Sequence, residues 1–218
     1  MLESRSVHWE IEMATTANEA RLTADDALAR LIAGNERFLG GDSRSAGLKR
    51  ETLADLAKGQ RPIATILGCS DSRVPPEAIF DAGLGELFVI RVAGNVLSPE
   101  VAGSLQYAGS HLHTPLFVVL GHEGCGAVSA ALATKHAGAQ HRSRIQILVD
   151  SIIPALPDSD PKVSPEDRLT RAVEANVRWT VDQIVNSPEG KTRVAEGRMR
   201  IAGAVYEIET GCVRFLSS

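Results

Sequence analysis

Three short runs of almost wholly apolar residues punctuate the chain: Pro62–Gly68 (PIATILG), Leu87–Ala93 (LFVIRVA) and Pro115–Gly121 (PLFVVLG). Such β-branched runs, bounded by Gly or Pro, predict strands covered on both faces. The intervening segments Pro76–Phe80 and Val101–His113 can form helices. This β-α-β-α-β alternation predicts a parallel sheet with right-handed crossovers. Upstream, Thr23 is an N-cap candidate with Asp25 and Asp26 in the first turn. Leu28, Leu31, Ile32, Asn35, Phe38 and Leu39 follow at helical spacing until Gly40-Gly41, and a short helix is expected near Thr52–Lys58. Downstream, Ala127–His136, Ile145–Leu156 and Glu166–Val185 read as helices, the second with Ile145, Leu148, Val149, Ile152 and Ile153 on one stripe. Met199–Ile208 and Cys212–Leu216 alternate and meet at Thr210-Gly211, which predicts a terminal hairpin closing one edge of the sheet. The expected class is therefore α/β: a mainly parallel central sheet of four strands plus an antiparallel edge strand, flanked by helices. Residues 1–22 read as a flexible N-terminal tail and 23–218 as a single α/β domain.

Composition narrows the function. The chain has 218 residues, 23 Lys+Arg against 27 Asp+Glu, and a formal net charge of -4, which argues against a basic nucleic-acid-binding domain. Aromatics are only 4% of the residues, so the core must be built from Ala, Val, Ile and Leu. No stretch approaches the ~18 apolar residues of a membrane span. Glu3, Arg5, Glu10, Glu12 and Glu19 interrupt any secretory apolar core at the N-terminus. Three cysteines in this length are too few for a disulfide framework and suit a reducing compartment. The expectation is a cytoplasmic protein without nucleic-acid or membrane partners.

The candidate chemistry sits where two predicted strands end. Gly68 is followed by Cys69-Ser70-Asp71-Ser72-Arg73, and Gly121 by His122-Glu123-Gly124-Cys125-Gly126. Ligands of open parallel sheets bind at the carboxyl ends of strands. Segments 53 residues apart thus deliver Cys69, Asp71, His122 and Cys125 to one place. Two thiolates, an imidazole and a carboxylate form a zinc-type donor set. The spacing alone also admits a closed structural zinc site. Two features favour catalysis: the fourth donor is a carboxylate that water can replace, and Arg73 stands two residues from Asp71, ready to draw it off the metal.

With these residues in view, the sequence resembles the β-class carbonic anhydrases. The resemblance rests on Cys69-Ser70-Asp71-Ser72-Arg73-Val74, on Gly121-His122-x-x-Cys125-Gly126 and on Gly85–Arg91 (GELFVIR) between them. Gln106-Tyr107-Ala108, Glu174-x-Asn176-Val177 and Gly203-Ala204-x-Tyr206 extend it over roughly residues 25–216. It implies one Zn2+ per chain on Cys69, His122 and Cys125. It implies reversible hydration of carbon dioxide to bicarbonate and a proton, through zinc-bound hydroxide oriented by the catalytic Asp71–Arg73 dyad. It further implies a closed state in which Asp71 ligates the metal, hence low activity at acidic pH that rises towards alkaline pH. Val101 and Gly126 are the substrate-side candidates, and a homodimer or homotetramer is expected. Two other readings stand beside it: a non-catalytic zinc protein of the same fold, and a hydrolase of a CO2 analogue such as carbonyl sulfide. The intact donors and dyad argue against the first, and the unaltered Ser70–Arg73 stretch against the second. Cys212 is expected to be a buried structural thiol in the terminal strand. Arg91, inside an apolar run, needs a partner. Glu123 is a rim residue, and no role is assigned to His111, His113, His136 or His141.

Overall fold

The computed structural model describes residues 22–44, 50–197 and 199–217. All of the expected N-terminal tail except Leu22 lies outside the described residues. A five-stranded sheet forms the centre, in the order β2-β1-β3-β4-β5. Its strands are β1 (Ala64–Gly68), β2 (Leu87–Arg91), β3 (Leu116–His122), β4 (Arg200–Tyr206) and β5 (Val213–Phe215). The first four run parallel, and β5 pairs antiparallel with β4 through Ala204↔Phe215 and Tyr206↔Val213. The chain moves outward from β1 to β2 and then returns to β3 on the other side of β1. That reversal opens a crevice beyond the carboxyl ends of β1 and β3.

Period-two alternation sends the strand side chains to two cores. Leu67, Phe117, Val119 and Val205 face one cluster, while Ala64, Ile66, Leu116, Val118, Leu120 and Ala204 face the other. The first is closed by α4 (Pro99–Tyr107), α5 (Gly126–Ala137), α6 (Ser143–Ile152) and α7 (Pro165–Asn186). The second is closed by α1 (Ala24–Gly40), which buries Ala27 and Leu31, and by α3 (Pro76–Ile79). Residues Arg50–Leu56 form α2 and Pro188–Ala195 form α8.

Thr23 caps α1 in a full capping box with Asp26, and Gly41 ends it in the left-handed region at φ 73°. Asn35, only 5% exposed, stitches α1 to the rest. Its amide donates to the carbonyls of Ile79 (3.2 Å) and Gly211 (2.9 Å) and accepts from Val213 N–H (2.9 Å).

Several expectations need correction. The run that forms β2 was expected to be covered on both faces, but Leu87–Ile90 are half-buried, because β2 is the sheet's outer strand. Ile145 lies at the open end of its stripe and is 53% exposed, whereas Val149 and Ile152 are buried. The helix expected over Val101–His113 is α-helical only to Tyr107 and continues as a π-helical turn, Ala108–Leu112. There the backbone N–H and hydroxyl of Thr114 both reach back to the Ala108 carbonyl (3.3 and 3.4 Å). Cys212 precedes β5 and is half-buried rather than buried within a strand. The helix α8 has no counterpart among the sequence expectations, although Ser187 caps it and Pro188 opens it.

Candidate metal centre

Cys69 leaves β1 directly after Gly68, and the loop it begins is held from a neighbouring strand. Arg91, the last residue of β2, donates from Nε to the Cys69 carbonyl (2.9 Å) and from Nη2 to the Asp71 carbonyl (2.5 Å). The partner that this charge required is therefore the backbone carrying a candidate ligand. Across the crevice, β3 continues beyond its pairing with β1 to His122, which lies opposite Tyr206. Gly124 then takes φ 63°, a turn that favours glycine, and Cys125 starts α5.

Within that crevice the two sulfurs and the imidazole converge. Ligand atoms of Cys69, His122 and Cys125 all lie within 4.8 Å of one another. The three residues are 5%, 0% and 2% exposed, so no net charge there can be relieved by bulk water. His122 Nδ1 lies 2.8 Å from the Glu123 carbonyl, which fixes that nitrogen as the donor and leaves Nε2 as a lone pair. Nε2 is buried with no hydrogen-bond partner among the described residues. A zinc ion sits about 2.0–2.3 Å from such donors, and this spacing accommodates it. The donor chemistry and the orphaned Nε2 therefore fit the ion that the sequence implied.

Electrostatics point the same way. Sharing a proton with Cys125 pulls the Cys69 thiol down, despite burial, with help from His122 and the Gly94 N–H. The same sharing, together with burial, pushes Cys125 up. A divalent cation bound between the two sulfurs would balance their charge in place of a shared proton. Burial alone would lower the His122 imidazole, but the adjoining Cys69 raises it overall.

Asp71 stands beside this cluster but is turned to Arg73. The guanidinium donates from Nε to Oδ1 (2.9 Å) and from Nη2 to Oδ2 (2.7 Å), and the Arg73 backbone N–H adds a third bond (3.0 Å). That fork holds the carboxyl well below the usual carboxylate range. Oδ2 lies 3.9 Å from His122 Nε2, so the carboxylate faces the place where the donors meet without belonging to them.

Of the substrate-side candidates, Gly126 opens α5 with no heavy atom within 4 Å of where a Cβ would stand. Val101 is buried in the first turn of α4, in the same apolar cluster as Cys69 and Cys125. Glu123 is half-buried, and its Oε2 accepts from Ile208 N–H (3.1 Å). Sequence reasoning assigned no role to Gly94 or Asn176, which meet behind Cys69. Asn176 entered the sequence reading only within Glu174-x-Asn176-Val177; its polarity on the buried stripe of α7 is the further signal that could have found it.

A sequence profile of the carbonic anhydrases matches residues 64–213. Carbonic anhydrase 2 of Mycobacterium tuberculosis is 38% identical over 182 residues, covering 82% of this chain and 86% of that protein. The carbonic anhydrase of Mycolicibacterium smegmatis is 34% identical over 188 residues, 84% of this chain and 89% of its own. Among solved structures, the Coccomyxa β-carbonic anhydrase in complex with acetazolamide superposes with a TM-score of 0.69 at 27% identity, covering 87% of this chain and 86% of that one. The β-carbonic anhydrase CcaA gives 0.69 at 26% identity, over 87% and 95% of the two chains. The fold, the converging donors and these likenesses agree: the chain belongs to the β class of the carbonic anhydrase family.

Proposed function

We propose that the protein catalyses the reversible addition of water to carbon dioxide, giving bicarbonate and a proton, with one zinc ion held by Cys69, His122 and Cys125. Zinc in such a site supplies Lewis acidity that makes water a nucleophile near neutral pH. The chain's own residues do the rest. Buried Cys69 and Cys125 balance the ion's charge. Asp71, anchored by the Arg73 fork, accepts a hydrogen bond through Oδ2 from a group held in front of the donors and so fixes its orientation. Release of Arg73 would free the same carboxylate, whose Oδ2 stands 3.9 Å from His122 Nε2, to turn towards the donors, the closed state expected from the sequence. Gly126 leaves room for a small uncharged substrate, and Val101 contributes an apolar wall.

The observation that carries this reading is the buried His122 Nε2, unpartnered and beside two sulfurs, in a chain of this family. The test is stopped-flow CO2 hydration on zinc-loaded protein, with zinc content measured alongside. The wild type is expected to be active. Asp71→Asn is expected to keep its zinc while kcat/KM falls about a hundredfold or more. Cys125→Ser is expected to lose both. An inert wild type that holds one zinc per chain overturns the reading.

We also propose a homodimer in a reducing, cytoplasmic setting. In support, β2 presents an apolar edge that no described strand pairs with, and the site needs both thiols reduced. No helix among the described residues is long and apolar enough to cross a membrane.

A further inference from the structure

Behind Cys69 lies a short relay that the catalytic proposal does not use. After β2 the chain makes a tight turn over Ala93–Asn95, closed by Asn95 N–H to the Val92 carbonyl (2.9 Å). Gly94 forms its apex at φ 71°, ψ 16°. A Cβ there would stand 2.7 Å from Ile152 Cδ1 and 3.1 Å from Ala127 Cβ, so both the backbone angle and the space demand glycine. The Gly94 N–H donates to Cys69 Sγ at 3.4 Å. Its carbonyl accepts from Asn176 Nδ2 at 2.9 Å, across 82 residues of chain.

Asn176 is a poor choice for core stability. It is 1% exposed on α7, on a stripe otherwise made of Ala172, Val173, Val177, Thr180 and Ile184. Among the described residues its Oδ1 is buried without a hydrogen-bond partner, as is Nδ2 of Asn95 beside the apex. One hydrogen bond set against an unpaired buried acceptor gains little, and an apolar residue of similar size avoids the cost. What the amide does supply is direction. With the Gly94 carbonyl tied to α7 on one side, the turn has one orientation, and in it the N–H faces the sulfur.

We infer that Asn176 is a positioning residue for the metal centre: by holding the carbonyl on one side of the Gly94 Cα it orients the turn so that the N–H on the other side aims at the Cys69 sulfur, and so sets that thiolate's strength as a ligand. An N–H donor to a thiolate draws electron density off the sulfur and orients it, as outer partners do at other metal sites. The inference rests on the metal-site reading above. It predicts an effect on the metal–sulfur bond itself and not only on stability.

The experiment is substitution of the zinc by Co(II) in the full chain, reading the near-ultraviolet thiolate-to-cobalt charge-transfer band, with zinc affinity measured by chelator competition. Asn176→Leu removes the donor, and Asn176→Asp, read at alkaline pH where its carboxyl is ionised, keeps the shape while replacing the donor by an acceptor. Ile184→Ala, on the same helix but at its far end, controls for lost packing. Both Asn176 variants are expected to shift the band and to weaken zinc binding about ten- to a hundredfold, while Ile184→Ala leaves both unchanged at comparable thermal stability. If Asn176→Leu does not fold, the isosteric Asn176→Asp decides, together with the Gly94 amide proton resonance, which is expected to move upfield in the zinc-loaded variant. A wild-type band reproduced in the Asn176 variants overturns the inference and leaves the metal site standing. A wild type without any thiolate-to-cobalt band overturns the metal-site reading as well.

Discussion

Asp81 shows how one residue can join distant parts of this molecule. It lies between α3 and β2 with φ 44°, an angle Asp tolerates better than most residues, and is 7% exposed. Arg37 of α1 donates to it from Nε at 2.5 Å; Arg44 donates from its backbone N–H (2.8 Å) and Nε (3.2 Å) and also reaches the Asp81 carbonyl (2.6 Å). Burial alone would raise this carboxyl, but the two arginines together hold it below its ordinary value. A lowered folded value stabilises the fold above the unfolded carboxylate range, near pH 4. That stabilisation drains away as pH falls through the folded value. Asp81→Asn keeps the shape and loses the charge. Arg37 and Arg44 remain partly open to water, with side chains 32% and 56% exposed, so the expected cost at pH 7 is modest, about 1–2 kcal/mol. Urea midpoints of wild type and variant are expected to differ at pH 7 and to converge below about pH 4. A gap of equal size at both pH values rules the ion pair out as its source.

At the scale of elements, the approach of α7 to the sheet decides how well His122 is placed. Two glycines make that approach possible: a Cβ on Gly121 would stand 2.5 Å from Val177 Cγ2, and one on Gly203 2.9 Å from Val177 Cγ1. Gly121 also immediately precedes the histidine donor. Gly121→Ala is expected to destabilise by about 1–3 kcal/mol through overpacking, with Val177→Ala relieving part of it. The double variant should be more stable than the two single losses predict, by about 0.5 kcal/mol or more. Strict additivity in chemical denaturation would show that Val177 is not what the new methyl meets. The same contacts explain what could be read from the sequence. Unbroken apolarity gave away β1 and β3, and the Gly at or next to the end of each strand marked where Cys69 follows β1 and where His122 closes β3. Nothing local distinguishes the inner strand β1 from the outer β2, because apolar runs do not name their neighbours. Nor does local sequence tell that Arg91 grips the Cys69 loop or that Asn176 finds Gly94, since those pairings form only when the sheet is assembled. The helix α8 was legible in principle, from Ser187-Pro188-Glu189.

For the whole molecule the open question is what meets the outer side of β2. Its residues Leu87–Ile90 are half-buried, and only Arg91 among its five residues carries a charge. Leu84, 55% exposed, precedes it, and Tyr107, 46% exposed, lies on α4 with its ring stacked on His111 at 4.9 Å and 6.1 Å from Phe88. Isolated edges are usually guarded by lysine, proline or a bulge, and this one shows no proline along its length. Two copies related by a two-fold axis can each satisfy the other's free N–H and C=O groups with the same strand, which closes the assembly. A dimer at micromolar concentration is therefore expected by sedimentation. The paired substitution Leu84→Lys and Tyr107→Glu adds charge at the exposed flanks without touching the buried core. It is expected to yield a folded monomer with an unchanged far-ultraviolet spectrum and undiminished zinc content, since neither residue contacts Cys69, His122 or Cys125. A wild type that sediments as a monomer removes the need for a partner at β2, and a variant that remains fully dimeric moves the interface to another face.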